Sequence, residues 1–387
     1  MIMVIMNNRL YKIVYCTPSL YIAGGVERVL TMKANYFAEE LGYDITIILT
    51  DGKGKRNFYP LSDKVKVVNL DIDFDELWSY SFAGQILPYL KKQRVFKKKL
   101  TAELMRIRPD ITVSLLRREI NFITKVKDGS RKIGELHVNR KKYRYYEDNN
   151  TNFIKETFAK FWMKNLIGHL RKLDKFVVLT EEDKQAWPEI EHVIAIPDPM
   201  TFFPEKSSPL TEKRVIAVGR YEYQKGFDLL LEAWAKVEKQ CPDWRLDVFG
   251  SGERQGYDAL IDKFGIDRAR CHLNGATNNI QSEYMSSSVF AFSSRYEGFG
   301  MVLVEAMACG VPVVSFDCPC GPKDIVRDGE DGVLVETGNT SEFAKALSTI
   351  IGDTDLREKM AVNARHNVQR FKMDEIAKQW KCVFDQL

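Results

Sequence analysis

The strongest constraint on this chain is an alternation of short β-branched apolar runs with longer amphipathic stretches, and it occurs twice. The first copy reads YKIVYC (11–16), a loop TPSLYIAGG, the stretch VERVLTMKANYFAEEL, and then YDITIIL (43–49). In the middle stretch Val26, Val29, Leu30 and Phe37 recur near helical spacing, while the flanking runs are short and β-branched. Strand, helix and strand in this order form a βαβ unit, and a crossover of that kind implies parallel strands. Further strands are expected at Val65–Leu70, Ile111–Leu115, Lys132–Leu136 and Phe176–Leu179.

The second copy begins at Arg214. RVIAVG reads as a buried strand and GFDLLLEAWAKVEKQ as a helix ended by Cys241-Pro242. RLDVFG, VFAFSS, VPVVSF and GVLVE read as strands, with GMVLVEAMACG as a helix stopped by Gly310. Between the copies, Pro197, Pro199, Pro204 and Pro209 mark a stiff connection. A chain of 387 residues with 45% apolar content exceeds one ordinary core. The expected organisation is therefore two doubly wound α/β domains, 1–196 and 211–371. A linker at 197–210 joins them, and a final helix at 372–387 returns to the first domain.

Composition excludes some classes. No apolar stretch approaches the ~20 residues that span a bilayer. The start, MIMVIM, lacks a basic leader and a cleavage site, and reads as a short strand or a frayed end. Seven scattered cysteines suggest reduced thiols and a cytoplasmic setting. Cys318 and Cys320 form a lone C-x-C with no second pair, so no metal is assigned there. The three acids Asp71, Asp73 and Asp75 read as a solvated acidic loop.

Three segments place functional groups just after expected strands. In VGRYEYQKG, Arg220 and Lys225 stand five apart at a helix entry, where a guanidinium fork and an ammonium clamp a diphosphate. A solvated basic loop is the plainer alternative. In FGSGE, Gly250 and Gly252 permit close approach of a ligand to the backbone, or simply a tight turn. In SSRYEGFGMVLVEAMACG, Gly298 and Gly300 open a helix whose first amides, from Phe299 through Met301 to Val302, form an anion site. Glu297 lies at its lip, placed to meet a sugar. Glu305 lies about one turn in, placed to accept from a ribose diol. Glu305 sits in an apolar run, where a buried carboxylate needs a partner.

At these residues the chain resembles the retaining glycosyltransferases of family 4, which have the GT-B fold: two Rossmann-like domains facing a central cleft. Glu297 and Glu305 match the family's E-x7-E motif, and Arg220 and Lys225 match its basic pair. Gly24-Gly25 matches its first-domain glycine pair, and His137 in GELHVN matches its first-domain histidine. The resemblance implies that Arg220 and Lys225 hold the donor diphosphate and Glu305 the ribose. It implies that Glu297, with the backbone of Phe299, Gly300 and Met301, meets the sugar and phosphates. Gly24 and Gly25 would approach the diphosphate, and His137 the sugar. Family 4 retains anomeric configuration without a divalent metal, so no cofactor is expected beyond the nucleotide sugar as substrate. Asp198-Pro199 departs from the family's usual Asn-Pro. The CPCGPKDIV segment and the basic first half resemble bacterial surface-polysaccharide transferases within the family.

The implied reaction transfers a hexose or N-acetylhexosamine, most simply from a UDP-sugar, to a lipid-linked or polysaccharide acceptor. A nucleotide-sugar 2-epimerase and a non-catalytic nucleotide-sugar binding module are the alternatives. The partner surface is suggested by charge. Residues 1–200 hold 34 basic and 25 acidic residues, and 85–175 hold 24 against 9. In KKQRVFKKKLTAELMRI, Phe96, Leu100, Leu104 and Ile107 recur at helical spacing beside a basic face. With RKKYRYY (140–146) and KFWMKNLIGHLRK (160–172), this suggests docking on an anionic membrane surface, the inner face of the cell membrane. An ordinary packed helix is the alternative. RNA is disfavoured, because no nucleic-acid motif is present.

Overall fold

The computed structural model describes residues 9–79, 81, 84–140 and 153–387. The apolar start and residues 141–146 of the RKKYRYY run lie outside them. The chain forms two compact units, one of Met1–Ile196 with Met373–Leu387, the other of Pro197–Lys372.

Among the described residues the first unit carries seven parallel strands: β1 (Lys12–Thr17), β2 (Asp44–Leu49), β3 (Lys66–Asn69), β4 (Ile111–Ser114), β5 (Arg131–Glu135), β6 (Lys175–Val178) and β7 (Val193–Ala195). Their order is β3-β2-β1-β4-β5-β6-β7, so the winding reverses between β1 and β4. Strand periodicity sends alternate residues of β1 to opposite faces. Ile13 and Tyr15 join Phe37 of helix Gly25–Glu39 and Trp380 of helix Met373–Asp385. Val14 and Cys16 join Phe96, Leu100 and Leu104 of helix Ile86–Ile107 and Leu166 and Leu170 of helix Phe153–Leu170.

The second unit carries six parallel strands: β8 (Arg214–Val218), β9 (Arg245–Phe249), β10 (Cys271–Asn274), β11 (Val289–Phe292), β12 (Val313–Phe316) and β13 (Gly332–Val335). The order β10-β9-β8-β11-β12-β13 reverses between β8 and β11. In such sheets the ligand crevice opens beyond the carboxyl ends of the two strands at the reversal. The proline-rich segment packs on this unit: the Met200 amide donates to Phe371, and the Ser208 amide to Cys309. The Arg365 guanidinium spans the carbonyls of Pro204, Glu205 and Ala308.

Among the described residues, every strand expected from sequence is present. The pattern did not signal β7 and β10, three and four residues long at the outer edges of their sheets. β7, Val-Ile-Ala, is apolar but only three residues long, and β10, Cys-His-Leu-Asn, holds no continuous apolar run. The Asp71–Asp75 loop is braced as well as solvated. Lys53 pairs with Asp71, and the Tyr21 hydroxyl donates to Asp75 at 2.6 Å. The Lys92 ammonium donates to the carbonyl of Ile72 at 2.6 Å, across the same loop.

The stripe Phe96, Leu100 and Leu104 is buried in the core of the first unit, which is the ordinary packed-helix arrangement. The outward face of this helix is a different set, in which Leu87, Leu90, Val95 and Met105 are exposed among Lys91, Arg94, Lys97 and Lys98. Leu100→Ala is therefore expected to cost about 2–5 kcal/mol, and Leu87→Ala less than about 0.5 kcal/mol. Urea denaturation of both variants measures the contrast.

Candidate functional site

The site of the second unit is built from three loops that follow β8, β11 and β12. After β8 the chain runs through Gly219 and Arg220 to a single turn at Tyr223–Lys225, then to Gly226 and helix Phe227–Gln240. Gly226 has φ +61°, and a Cβ there would lie 2.1 Å from the Ser293 carbonyl oxygen. Only glycine lets the β8 and β11 loops come this close. The contact is then stitched. The Ser293 hydroxyl donates to the Lys225 carbonyl at 2.8 Å, and the Arg295 amide to the Gln224 carbonyl at 2.8 Å. The Arg295 guanidinium forks onto Asp228 at 2.8 and 2.6 Å and stacks on Tyr223. Burial pushes the Asp228 carboxyl up, but Arg295 outweighs it and holds the carboxyl below its ordinary value.

This frame joins two of the expected site residues. The Lys225 ammonium meets Glu297 at 2.7 Å, and the Gln224 amide donates to the other Glu297 oxygen at 3.2 Å. Lys225 and Glu297 are largely shielded from water, whereas Arg220 is exposed and pairs at 3.0 Å with Glu222. Helix Met301–Ala308 starts one turn beyond, at Gly300 with φ +103° and no side-chain cap. The amides of Met301 and Val302 precede the first intrahelical bond, so the positive end of the helix is open to an acceptor. Glu305 lies inside the helix, buried, where it accepts from the Thr201 hydroxyl at 2.8 Å and the Tyr284 hydroxyl at 3.4 Å.

Gly250 packs against protein: a Cβ there would lie 1.7 Å from the Gly219 carbonyl oxygen, which accounts for its glycine through loop packing. The third loop was not foreseen. After β12, Pro319 accepts from the Glu297 amide at 3.1 Å, and Gly321 (φ +123°) presses on the Phe299 carbonyl. Burial first, and then the nearby Glu297 carboxylate, push the Cys318 thiol well up. The glycine in CPCGP was the available signal. Gln224 and the Arg295–Asp228 clamp gave none, because polar residues near helix starts are common.

In the first unit, Gly24 caps helix Gly25–Glu39 in an ordinary extended conformation. His137 follows β5 by two residues, on the same side as Glu135. Its Nε2 stands 3.0 Å from the Glu135 carboxylate, which also pairs with the Lys33 ammonium. Burial alone would raise the Glu135 carboxyl, but Lys33 and then His137 outweigh it and bring it to about 2.

Two doubly wound parallel units, with cations, a carboxylate and an open helix start at the strand reversal, have the architecture of GT-B glycosyltransferases. Anabaena HepE in complex with UDP-glucose shares this fold with a TM-score of 0.70 over 97% of this chain and 100% of that one, at 19% identity. Residues 200–367 match the model of the glycosyl transferases of group 1. The amylovoran biosynthesis glycosyltransferase AmsD of Erwinia amylovora is 32% identical over 242 residues, 59% of this chain and 67% of AmsD. A Campylobacter jejuni alpha-1,4-N-acetyl-D-galactosaminyltransferase, named for the acceptor GalNAc-alpha-(1->4)-GalNAc-alpha-(1->3)-diNAcBac-PP-undecaprenol, is 25% identical over 92% of this chain and 94% of its own length. The chain belongs to the group 1 glycosyl transferases.

Because Glu135 has a lower value in the folded chain than the roughly 4.3 of an unfolded glutamate, its ionised form stabilises the fold above about pH 4.5. That contribution disappears as pH falls toward 2. The parent chain is expected to lose more stability between pH 7 and pH 3 than Glu135→Gln does. Equal losses in urea denaturation at the two pH values would contradict this.

Proposed function

We propose that the protein is a retaining, metal-independent transferase. It would move a hexose or N-acetylhexosamine from a UDP-sugar to a lipid-linked or polysaccharide acceptor in bacterial surface-glycan assembly. The observation that carries this reading is the grouping of Arg220, Lys225, Glu297 and the open helix start at Met301 on the two strands where the winding reverses. Departure of the nucleotide leaves an oxocarbenium-like sugar and concentrates negative charge on the diphosphate. Arg220 supplies a forked donor, Lys225 a point charge, and the Met301 and Val302 amides a dipole end. A diphosphate arriving at Lys225 competes with Glu297 and frees its carboxylate for sugar hydroxyls. Glu305 meets the ribose, while Gly24, Gly25 and His137 contact the diphosphate and the sugar, as the family resemblance assigns them. UDP-glucose bound to HepE supports the donor class, and the names of the Erwinia and Campylobacter relatives support the acceptor class.

A panel of UDP-, GDP- and ADP-sugars scanned by thermal shift identifies the donor. A ligand at 100 times its Kd adds about 2.7 kcal/mol of stability. With that donor, Lys225→Ala and Glu297→Ala are each expected to lower kcat by roughly 100-fold, and EDTA is expected to leave turnover unchanged. Full turnover in both variants would sink the site assignment. A free 2-epimer formed without acceptor would make the protein an epimerase, and an inverted anomeric signal in the product would exclude retention.

The partner surface we propose is the anionic inner face of the cell membrane, with the protein peripheral and cytoplasmic. No helix of the described residues is long and apolar enough to cross a membrane. Helices Ile86–Ile107 and Phe153–Leu170 cover the same face of the first sheet. Outward they expose Leu87, Leu90, Phe161 and Trp162 among Lys91, Arg94, Lys98, Lys160 and Lys164. Apolar side chains between cations suit an anionic headgroup layer. Replacing Lys91, Arg94 and Lys98 by glutamine removes about 3 kcal/mol, at roughly 1 kcal/mol per charge. Co-sedimentation with vesicles rich in phosphatidylglycerol should fall by about a hundredfold, and an unchanged bound fraction would refute the surface.

A further inference from the structure

The turn after β8 places a neutral amide beside the Lys225 ammonium. The Gln224 Nε2 donates to the Tyr296 carbonyl at 3.0 Å and to Glu297 Oε2 at 3.2 Å. A carbonyl and a carboxylate only accept, and a side-chain amide carries two donors on its nitrogen. Gln224 therefore turns its nitrogen to both partners and can give one hydrogen to each. The other Glu297 oxygen, Oε1, meets the Lys225 ammonium at 2.7 Å. The carboxylate is thus held at both oxygens, by a cation on one and by a neutral donor on the other.

The backbones on either side of this contact are fixed. The Gln224 carbonyl accepts from the Arg295 amide at 2.8 Å, and the Tyr223 carbonyl accepts from the Arg295 guanidinium at 2.8 Å. The Glu297 amide donates to the Pro319 carbonyl at 3.1 Å. Gln224 and Glu297 therefore meet at set positions, although they lie 73 residues apart.

We propose that Gln224 is a positioning residue that keeps the Glu297 carboxylate in place while the donor diphosphate draws Lys225 away from it. The proposal rests on the reading of Lys225 as a ligand of the diphosphate and of Glu297 as a ligand of the sugar. A phosphate oxygen competes strongly for an ammonium, and much less for a neutral amide, because a hydrogen bond with one ionised partner is weaker than one with two. Donor binding then releases Oε1 from Lys225 and leaves Oε2 tied to Gln224. The plane of the carboxylate persists, and Oε1 is presented to a sugar hydroxyl. Without Gln224 the same step leaves the carboxylate to rotate about its terminal torsion, which is broad in glutamate. The lost orientation is then restored only at the transition state, where it raises the barrier.

Turnover is read as nucleotide released from whichever UDP-, GDP- or ADP-sugar of the thermal-shift panel stabilises the chain most. Gln224→Ala is expected to lower kcat roughly tenfold, the loss of one hydrogen bond to a charged group. Its donor KM is expected to stay within about twofold of the parent, since the diphosphate ligands are unchanged. A rise of about tenfold in donor KM with kcat unchanged would show that Gln224 only shapes the turn that carries Lys225, and would overturn the proposal. Gln224→Glu keeps the size of the side chain but turns an acceptor toward Glu297. It is expected to lose at least as much kcat as Gln224→Ala, and parent-like turnover in it would also overturn the proposal. A double-mutant cycle with Glu297→Ala separates this role from the site itself. In the Glu297→Ala background, Gln224→Ala is expected to cost less than about twofold. A further loss of roughly tenfold there would mean that Gln224 acts without Glu297, and would overturn the positioning role alone. Full turnover of Glu297→Ala removes Glu297 from the site, and the positioning role falls with the reading on which it rests.

Discussion

The site depends on one constraint, the reversal of winding that sets β8 beside β11. Parallel pairing of these strands brings together loops about seventy residues apart in sequence. The loops meet through backbone, at places where no Cβ fits: Gly226 on Ser293, Gly250 on Gly219 and Gly321 on Phe299. Such contacts fix loop positions more tightly than side-chain packing does, because a carbonyl has no rotamers to exchange. Lys225 and Glu297 therefore meet as a result of sheet topology, and their ion pair reports that geometry.

A second regularity is the pairing of opposite charges away from bulk water. Lys225 with Glu297 and Lys33 with Glu135 both follow it. Each pair lies on a loop, helix or strand end that carries a candidate group. Breaking a buried pair leaves an uncompensated charge, so each one resists displacement of its loop. At Lys225 the arrangement has a chemical use as well, because an anionic ligand exchanges one negative partner for another without leaving the ammonium bare.

Much of this was legible in the sequence. Short β-branched runs separated by helical periodicity are a strong signal, and they located the inner strands of both sheets. The edge strands β7 and β10 were not legible, because β7 is only three residues long and β10 breaks its apolar residues with His272 and Asn274. The grouping of Arg220, Lys225 and Glu297 could be read because each follows a recognisable strand. The roles of Gln224, Thr201 and the CPCGP loop could not, since they depend on which loops the reversal makes neighbours. The stripe Phe96, Leu100 and Leu104 shows the limit of periodicity: the spacing establishes an amphipathic helix, but only the fold shows that this face is turned to the core.

The helix Met373–Asp385 packs Ile376, Trp380 and Phe384 into the core formed by Ile13, Tyr15, Ile45 and Phe37. During synthesis the ribosome makes the first sheet long before it makes the helix that completes one side of it. The second unit, Pro197–Lys372, is continuous in sequence and can close its core as it emerges. In the first unit, one of the two core faces lacks part of its cover until helix Met373–Asp385 is made. The patch on the first sheet that Ile376, Trp380 and Phe384 cover is therefore the part of either core whose covering residues are synthesised furthest from it in time.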